Sequence, residues 1–220
     1  MSNIQEYYLT INQPYGPEEF KEKGSRFISY LYPVINQSEV ETNLSHLKKK
    51  YYDSTHICFA FRLGNGKDEY YRFSDNGEPG GTAGIPILNE IKNKNYFNIL
   101  AIVIRYFGGT KLGTGGLVRA YSAITKKVMD LTSPIPIYLK KEGILFFPYD
   151  LIGDIMQVVN RYSTEIITRE YSDKGVSLTL SIPISQIDEI SHSIFNISNG
   201  KVSLITKSQK ELIYGIQHQN

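Results

Sequence analysis

RYFGGTKLGTGGLVRAYSA, residues 105–123, continues the apolar run NILAIVIRYF, residues 98–107, and sets five glycines between a strand-like segment and an amphipathic helix. The run is apolar without alternation, which predicts a strand covered on both faces. Beyond the glycines, Leu117, Tyr121, Ile124, Val128 and Leu131 recur at helical spacing and define an inward stripe. At 100° per residue, Arg119 and Lys126 fall nearly opposite that stripe and are expected to face solvent or a partner. A strand that turns tightly into a helix points its first unpaired N–H groups outward, and glycines let an anion approach them without meeting Cβ atoms. Lys111 and Arg119 flank the turn. The loop is therefore read as a surface that contacts a ligand or partner, against the blander reading that its glycines only satisfy turn geometry. Two nucleotide fingerprints fail on spacing. Gly108 and Gly113 are followed by Thr114 and Gly115, not by Lys and a hydroxyl residue, and position 118 is Val where a dinucleotide fold needs its third glycine.

Upstream of this stretch, residues 26–34 read as a strand, and a helix follows with Ser38 as its expected cap, Glu41 at the capping-box position and Val40, Leu44, Leu47 and Tyr51 inward. Residues 57–63 alternate as a half-buried strand, Gly64-Asn65-Gly66 supplies hairpin chemistry, and residues 69–73 return. SDNGEPGGTAGIPIL, residues 74–88, is a second glycine-rich turn running into a short helix that ends near Asn95. Downstream, Ser133-Pro134-Ile135-Pro136 breaks the pattern and marks a domain boundary. Strands are then expected at 138–147, 164–171, 176–182 and 201–205, with helices at 150–162 and 185–198. That order, βαββαβ, is the signature of a ferredoxin-like sandwich. The chain is thus α+β, with a first domain at 1–133, a linker at 134–136 and a second domain at 137–220.

A length of 220 residues suits two domains, and a net charge of +2 singles out no class of partner. Its distribution says more, since residues 101–141 hold seven basic residues against the single acid Asp130. Cys58 is the only cysteine, which excludes an intramolecular disulfide and a four-thiolate zinc site. No apolar run reaches the length of a membrane span, and the first residues lack a basic start and apolar stretch, so a cytoplasmic protein without membrane contact is expected. His56 and Cys58 share a strand face but two ligands make no zinc site, so neither a metal nor a cofactor is expected. Asp75 and Glu78 are either an acid/base or Mg²⁺ pair, or loop carboxylates that accept backbone N–H groups or pair with Arg105 or Arg72. No G-x-S-x-G elbow supports a serine hydrolase.

The blocks at residues 23–34, 55–63, 74–88 and 105–123, taken in order, resemble the IMPACT family, whose bacterial members are YigZ-like. The resemblance implies a first domain like domain IV of elongation factor G, of βαβ type in two layers, and a second like its domain V. It also implies a role around RNA or the ribosome, since the corresponding domain of that factor reaches into ribosomal RNA. Eukaryotic members are similar but carry an additional RWD domain and regulate translation under amino-acid starvation. Carried onto this sequence, the family's motif positions are Asp75, Glu78, Gly80, Thr82, Gly84, Arg105, Gly108, Gly109, Lys111, Gly113, Gly115, Gly116 and Arg119. The expected function is a non-enzymatic, RNA- or ribosome-associated regulator of translation or stress response. Lys111, Arg119, Arg105, Gly113, Gly115 and Gly116 would contact phosphate, and Asp75, Glu78 and Thr82 would brace the loops or act as acid and base. A rival is an enzyme that binds a small molecule or nucleotide with the same loops. A further expectation is a protein partner on the open sheet face of the second domain.

Overall fold

The computed structural model describes residues 6–64 and 69–206. The expected hairpin turn at 64–66 lies outside them apart from Gly64. The chain divides into two compact units: Tyr8–Ile137, and Tyr138 onward together with the residues up to Tyr7.

The first unit is built on a five-stranded sheet whose neighbouring pairs are all antiparallel, in the order β2 (Tyr15–Glu22), β3 (Ser25–Pro33), β6 (Ile99–Tyr106), β4 (His56–Leu63) and β5 (Tyr70–Ser74). Central β6 explains why its sequence does not alternate. Ile99, Ala101 and Val103 enter one core with α2 (Gly84–Asn93) and α3 (Gly113–Asp130), while Leu100, Ile102 and Ile104 enter another with α1 (Gln37–Lys50). Helices therefore cover both faces, which makes this unit three layers where two were expected. The α3 stripe is slightly rotated from the expected one: Leu131 is 55% exposed, whereas Ala120, Thr125 and Met129 are buried.

Helix α1 is capped two residues earlier than expected, by Asn36 rather than Ser38. Asn36 accepts from the Glu39 N–H at 2.9 Å, and Glu39 in turn accepts at 2.9 Å from the N–H of Ile35, the residue before the cap, a reciprocal pair close to a capping box. Strand β2 was not foreseen beyond an extended start, because Pro17 and four charged residues interrupt its pattern. It survives as an edge strand, where a missing N–H is tolerated. Residues 134–136 run into β7 (Ile135–Tyr138), which forms a two-stranded ribbon with β1 (Tyr7–Thr10).

The second unit contains β8 (Lys140–Phe147), α4 (Ile152–Arg161), β9 (Glu165–Ser172), β10 (Gly175–Pro183), α5 (Ile187–Ile197) and β11 (Ile205–Thr206). Its sheet order, β11-β8-β10-β9 with every pair antiparallel, is that of the ferredoxin-like sandwich. Leu145, Phe147, Leu178 and Leu180 pack beneath Ile155, Val159, Ile190 and Ile194. Among the described residues the last strand covers Ile205–Thr206, whereas 201–205 was expected. No described helix is long and apolar enough to cross a membrane.

Candidate functional site

Strand parity decides which side chains meet. Arg105 continues the row Ile99, Ala101, Val103 on the α2/α3 face of β6, and on β4 Cys58 and Ala60 belong to the same core. His56, two residues before Cys58 and directly opposite Arg105 in the ladder, lies on that face as well. The two glycine-rich loops, 75–83 and 107–112, leave the sheet beside this row.

Asp75 closes the first loop. Its carboxylate accepts the N–H groups of Gly81, Ala83 and Gly84 at 2.8 to 2.9 Å, which supplies α2 with an internal anion at its N-terminus. Burial raises the Asp75 pKa, but the three donations from Gly81, Gly84 and Ala83 outweigh it and hold the group below the usual carboxylate range. A carboxyl whose folded pKa is depressed stabilises the fold above the unfolded value, about 3.9, and loses that contribution as pH falls through the folded one. Asp75→Ala is accordingly expected to lower stability by about 1–2 kcal/mol at pH 7. Thermal melts at pH 7 and pH 3 check this: the gap between variant and parent should narrow at pH 3, and a gap of unchanged size would remove the capping argument.

Glu78 is buried, with its side chain 3% exposed. One carboxylate oxygen, Oε1, accepts from Arg105 Nη1 at 2.7 Å and from the Tyr121 hydroxyl at 2.8 Å. The other, Oε2, lies 3.9 Å from His56 Nε2, and His56 Nδ1 is 2.9 Å from the Asn76 carbonyl. That carbonyl can only accept, so Nδ1 carries the proton and Nε2 faces the carboxylate. Arg105 also donates through Nη2 to the Ser25 hydroxyl at 3.1 Å, and the same hydroxyl accepts the Gly108 N–H at 3.2 Å. The thiol of Cys58 donates to the Asp75 carbonyl at 2.9 Å and lies 3.4 Å from the Tyr121 hydroxyl. Burial pushes the Cys58 pKa up to about 12, and burial, then Cys58 and Glu78, push Tyr121 well above the ordinary tyrosine range. One buried polar cluster thus ties both glycine loops to the end of the sheet.

This arrangement separates the expected site residues. Arg105, expected at phosphate, is 4% exposed and engaged internally by Glu78 and Ser25, so a surface phosphate cannot reach it. Asp75, Glu78 and Thr82, whose hydroxyl donates to the Pro79 carbonyl at 2.6 Å, all bond within the first loop and its supports. Lys111, Gly113, Gly115 and Arg119 are exposed and Gly116 is half-buried. Neither helix carries an acidic residue in its first turn, but the first N–H groups of α2 meet Asp75, whereas among the described residues no side chain accepts those of α3. Among the described residues neither Lys111 nor Arg119 has a hydrogen-bonding or ion-pair partner, whereas Lys127 and Lys140 are paired with Glu18 and Glu165. Ser25, His56 and Tyr121 were not foreseen as members of the cluster. Ser25 precedes Arg105 by 80 positions and Tyr121 reads as core, so it takes the register of β3, β4 and β6 together with the packing of α3 on that face to bring them together.

The fold and the site define a class: a two-unit α+β protein in which a helix-covered antiparallel sheet carries one closed and one open glycine loop, followed by a ferredoxin-like unit. The chain belongs to the IMPACT family. The family model described as "Impact N-terminal domain" matches residues 23–129, and that described as "Domain of unknown function (DUF1949)" matches residues 145–201. The chain is 32% identical to an IMPACT family member of Haemophilus influenzae, over 90% of this chain and 96% of that protein. It is 32% identical to IMPACT family member YigZ of Escherichia coli, over 83% and 90%. To IMPACT family member YvyE of Bacillus subtilis it is 29% identical, over 94% and 93%. A crystal structure described as that of a hypothetical protein is similar with a TM-score of 0.68 and 28% identity, over 94% of this chain and all of that one.

Proposed function

We propose that the chain is a non-enzymatic, RNA- or ribosome-associated regulator of translation or stress response that docks RNA phosphates on the loop at 107–116. The observation that carries this reading is the contrast between the two helix N-termini. Asp75 occupies that of α2, while that of α3 is uncapped, glycine-lined and flanked by the unpaired cations Lys111 and Arg119. Unpaired N–H groups with aligned helix dipoles favour an anion, and phosphate is the anion that RNA presents. The enzyme reading needs Asp75 or Glu78 as a base or Mg²⁺ ligand. Asp75 is taken up by three N–H groups, and Glu78 is buried against Arg105 and Tyr121.

Filter binding of structured RNA and ribosomes across a salt series tests the proposal. Affinity should fall steeply with salt, and replacing Lys111 and Arg119 together with alanine should reduce the slope by about 1.5–2, one released counterion set per lost phosphate contact. Binding that is absent, insensitive to salt, or unchanged in the double variant would rule it out.

A further inference from the structure

Beside the open loop lies a groove of about 270 Å³ between the β2–β3 turn and α3. We infer that it holds one unstacked ribonucleotide of a single RNA strand. This rests on the reading of the 107–116 loop as an RNA phosphate contact and adds which form of RNA that surface accepts.

Three chemistries meet in the groove. Phe20 and Ala123 give it an apolar side on which a base can lie, with buried Ala120 beneath. Lys23 stands on one bank and Arg119 on the other, and among the described residues neither has a carboxylate partner. Glu22 brings a carboxylate with no hydrogen bond or ion pair among the described residues, a group that accepts from ribose hydroxyls as acidic residues do in dinucleotide sites. Two cations alone would suit any anion. The added carboxylate disfavours a bare phosphate or sulfate and suits a ligand that carries hydroxyl donors between its phosphates.

Size and continuity select a strand. The volume, about 270 Å³, falls just below the roughly 300 Å³ at which drug-sized sites begin, which leaves room for a single base or nucleotide and not for a base pair. Leu112 and Gly116 line the groove and also belong to the glycine turn, so a chain leaving the groove continues onto the uncapped start of α3 and Lys111. A Cβ on Gly116 would come within 3.0 Å of Leu112 Cβ, crowding the place where groove and turn join. The banks are fixed in advance. Gly24, at the tip of the β2–β3 turn, touches Gly108 backbone to backbone, a contact so close that a Cβ on Gly24 would lie 2.7 Å from the Gly108 oxygen.

Fluorescence anisotropy on the full chain, with a labelled single-stranded RNA, the same sequence as DNA and an RNA duplex of equal length, tests the inference. Single-stranded RNA should bind about tenfold tighter than the duplex, the gain of stacking one base. Ala123→Phe, an exposed position whose new ring fills the groove, should remove that preference and leave duplex binding unchanged. Glu22→Gln should narrow the gap between RNA and DNA without altering the salt slope. Equal, salt-sensitive binding of strand and duplex that Ala123→Phe does not alter would overturn the groove assignment while leaving phosphate docking in place. Competition by a free mononucleotide as effective as the strand would overturn the commitment to a strand. Absence of salt-sensitive RNA binding would remove phosphate docking and this inference with it.

Discussion

Glu78→Ala is expected to destabilise the first unit by about 3–5 kcal/mol, the range found when one partner is removed from a buried ion pair. The loss arises mostly in what is left behind. Arg105 would keep its charge at 5% side-chain exposure with no counter-ion, and the Tyr121 hydroxyl would lose its acceptor. His56 would lose the carboxylate beside Nε2. Glu78→Gln should lose less, because an amide oxygen still accepts from Tyr121 although the charge on Arg105 remains unpaired. The double replacement of Glu78 and Arg105 by methionine should recover much of the single-variant loss, since an apolar pair of similar volume needs no compensation. Urea denaturation followed by circular dichroism gives all three values. A loss below about 1 kcal/mol for Glu78→Ala would mean that water reaches the cluster and that the pair behaves as a surface ion pair.

The second large effect is expected at Gly108. A Cβ there would overlap the backbone of Gly24 and Ser25, atoms that no side-chain rotation can clear. The hairpin turn must move, and with it the Ser25 hydroxyl that receives both Arg105 and the Gly108 N–H. A loss of about 3 kcal/mol or more is expected for Gly108→Ala, at the upper end of overpacking effects. Gly109 is the control. It has open space around its Cβ position but a φ of +85°, so Gly109→Ala should cost only the left-handed backbone term, about 1–2 kcal/mol. Similar melting temperatures for the two variants would show that the close approach of the turns is not a constraint.

The two glycine loops illustrate what a sequence can disclose. Glycine density, the flanking strand and helix, and the exposed position of Arg119 were all legible, because each follows from local periodicity. The second unit was legible for the same reason: Leu178, Leu180 and Ile182 alternate, Ile190 and Ile194 repeat, and the βαββαβ order leaves one common arrangement. What could not be read was partnership across long separations. Arg105 had two readings, a phosphate contact beside the glycines and an ion-pair partner of Asp75 or Glu78, and its place in the inward row of β6 selects the pair with Glu78. Asp75 and Glu78 had bracing among their readings, yet which carboxylate met backbone and which met arginine depends on how the loop folds back over β4. Edge strand β2 escaped because exposed positions and a proline carry no strong pattern. Cover on both faces of β6 was legible in its unalternating run, but periodicity gives a helix an inward face and not the side of the sheet it covers, so the second layer was not assigned to α1.

The seclusion of Cys58 has a practical consequence. Thiol-modifying reagents attack the thiolate, and a thiol held neutral to about pH 12 and 0% exposed offers none in the native state. Because the chain has no other cysteine, the rate at which a maleimide or disulfide reagent labels it reads the opening of the first unit alone, silent to events in the second. The wild-type protein therefore carries its own clock for local unfolding, usable in mixtures and crude extracts where spectroscopic signals from the two units would overlap.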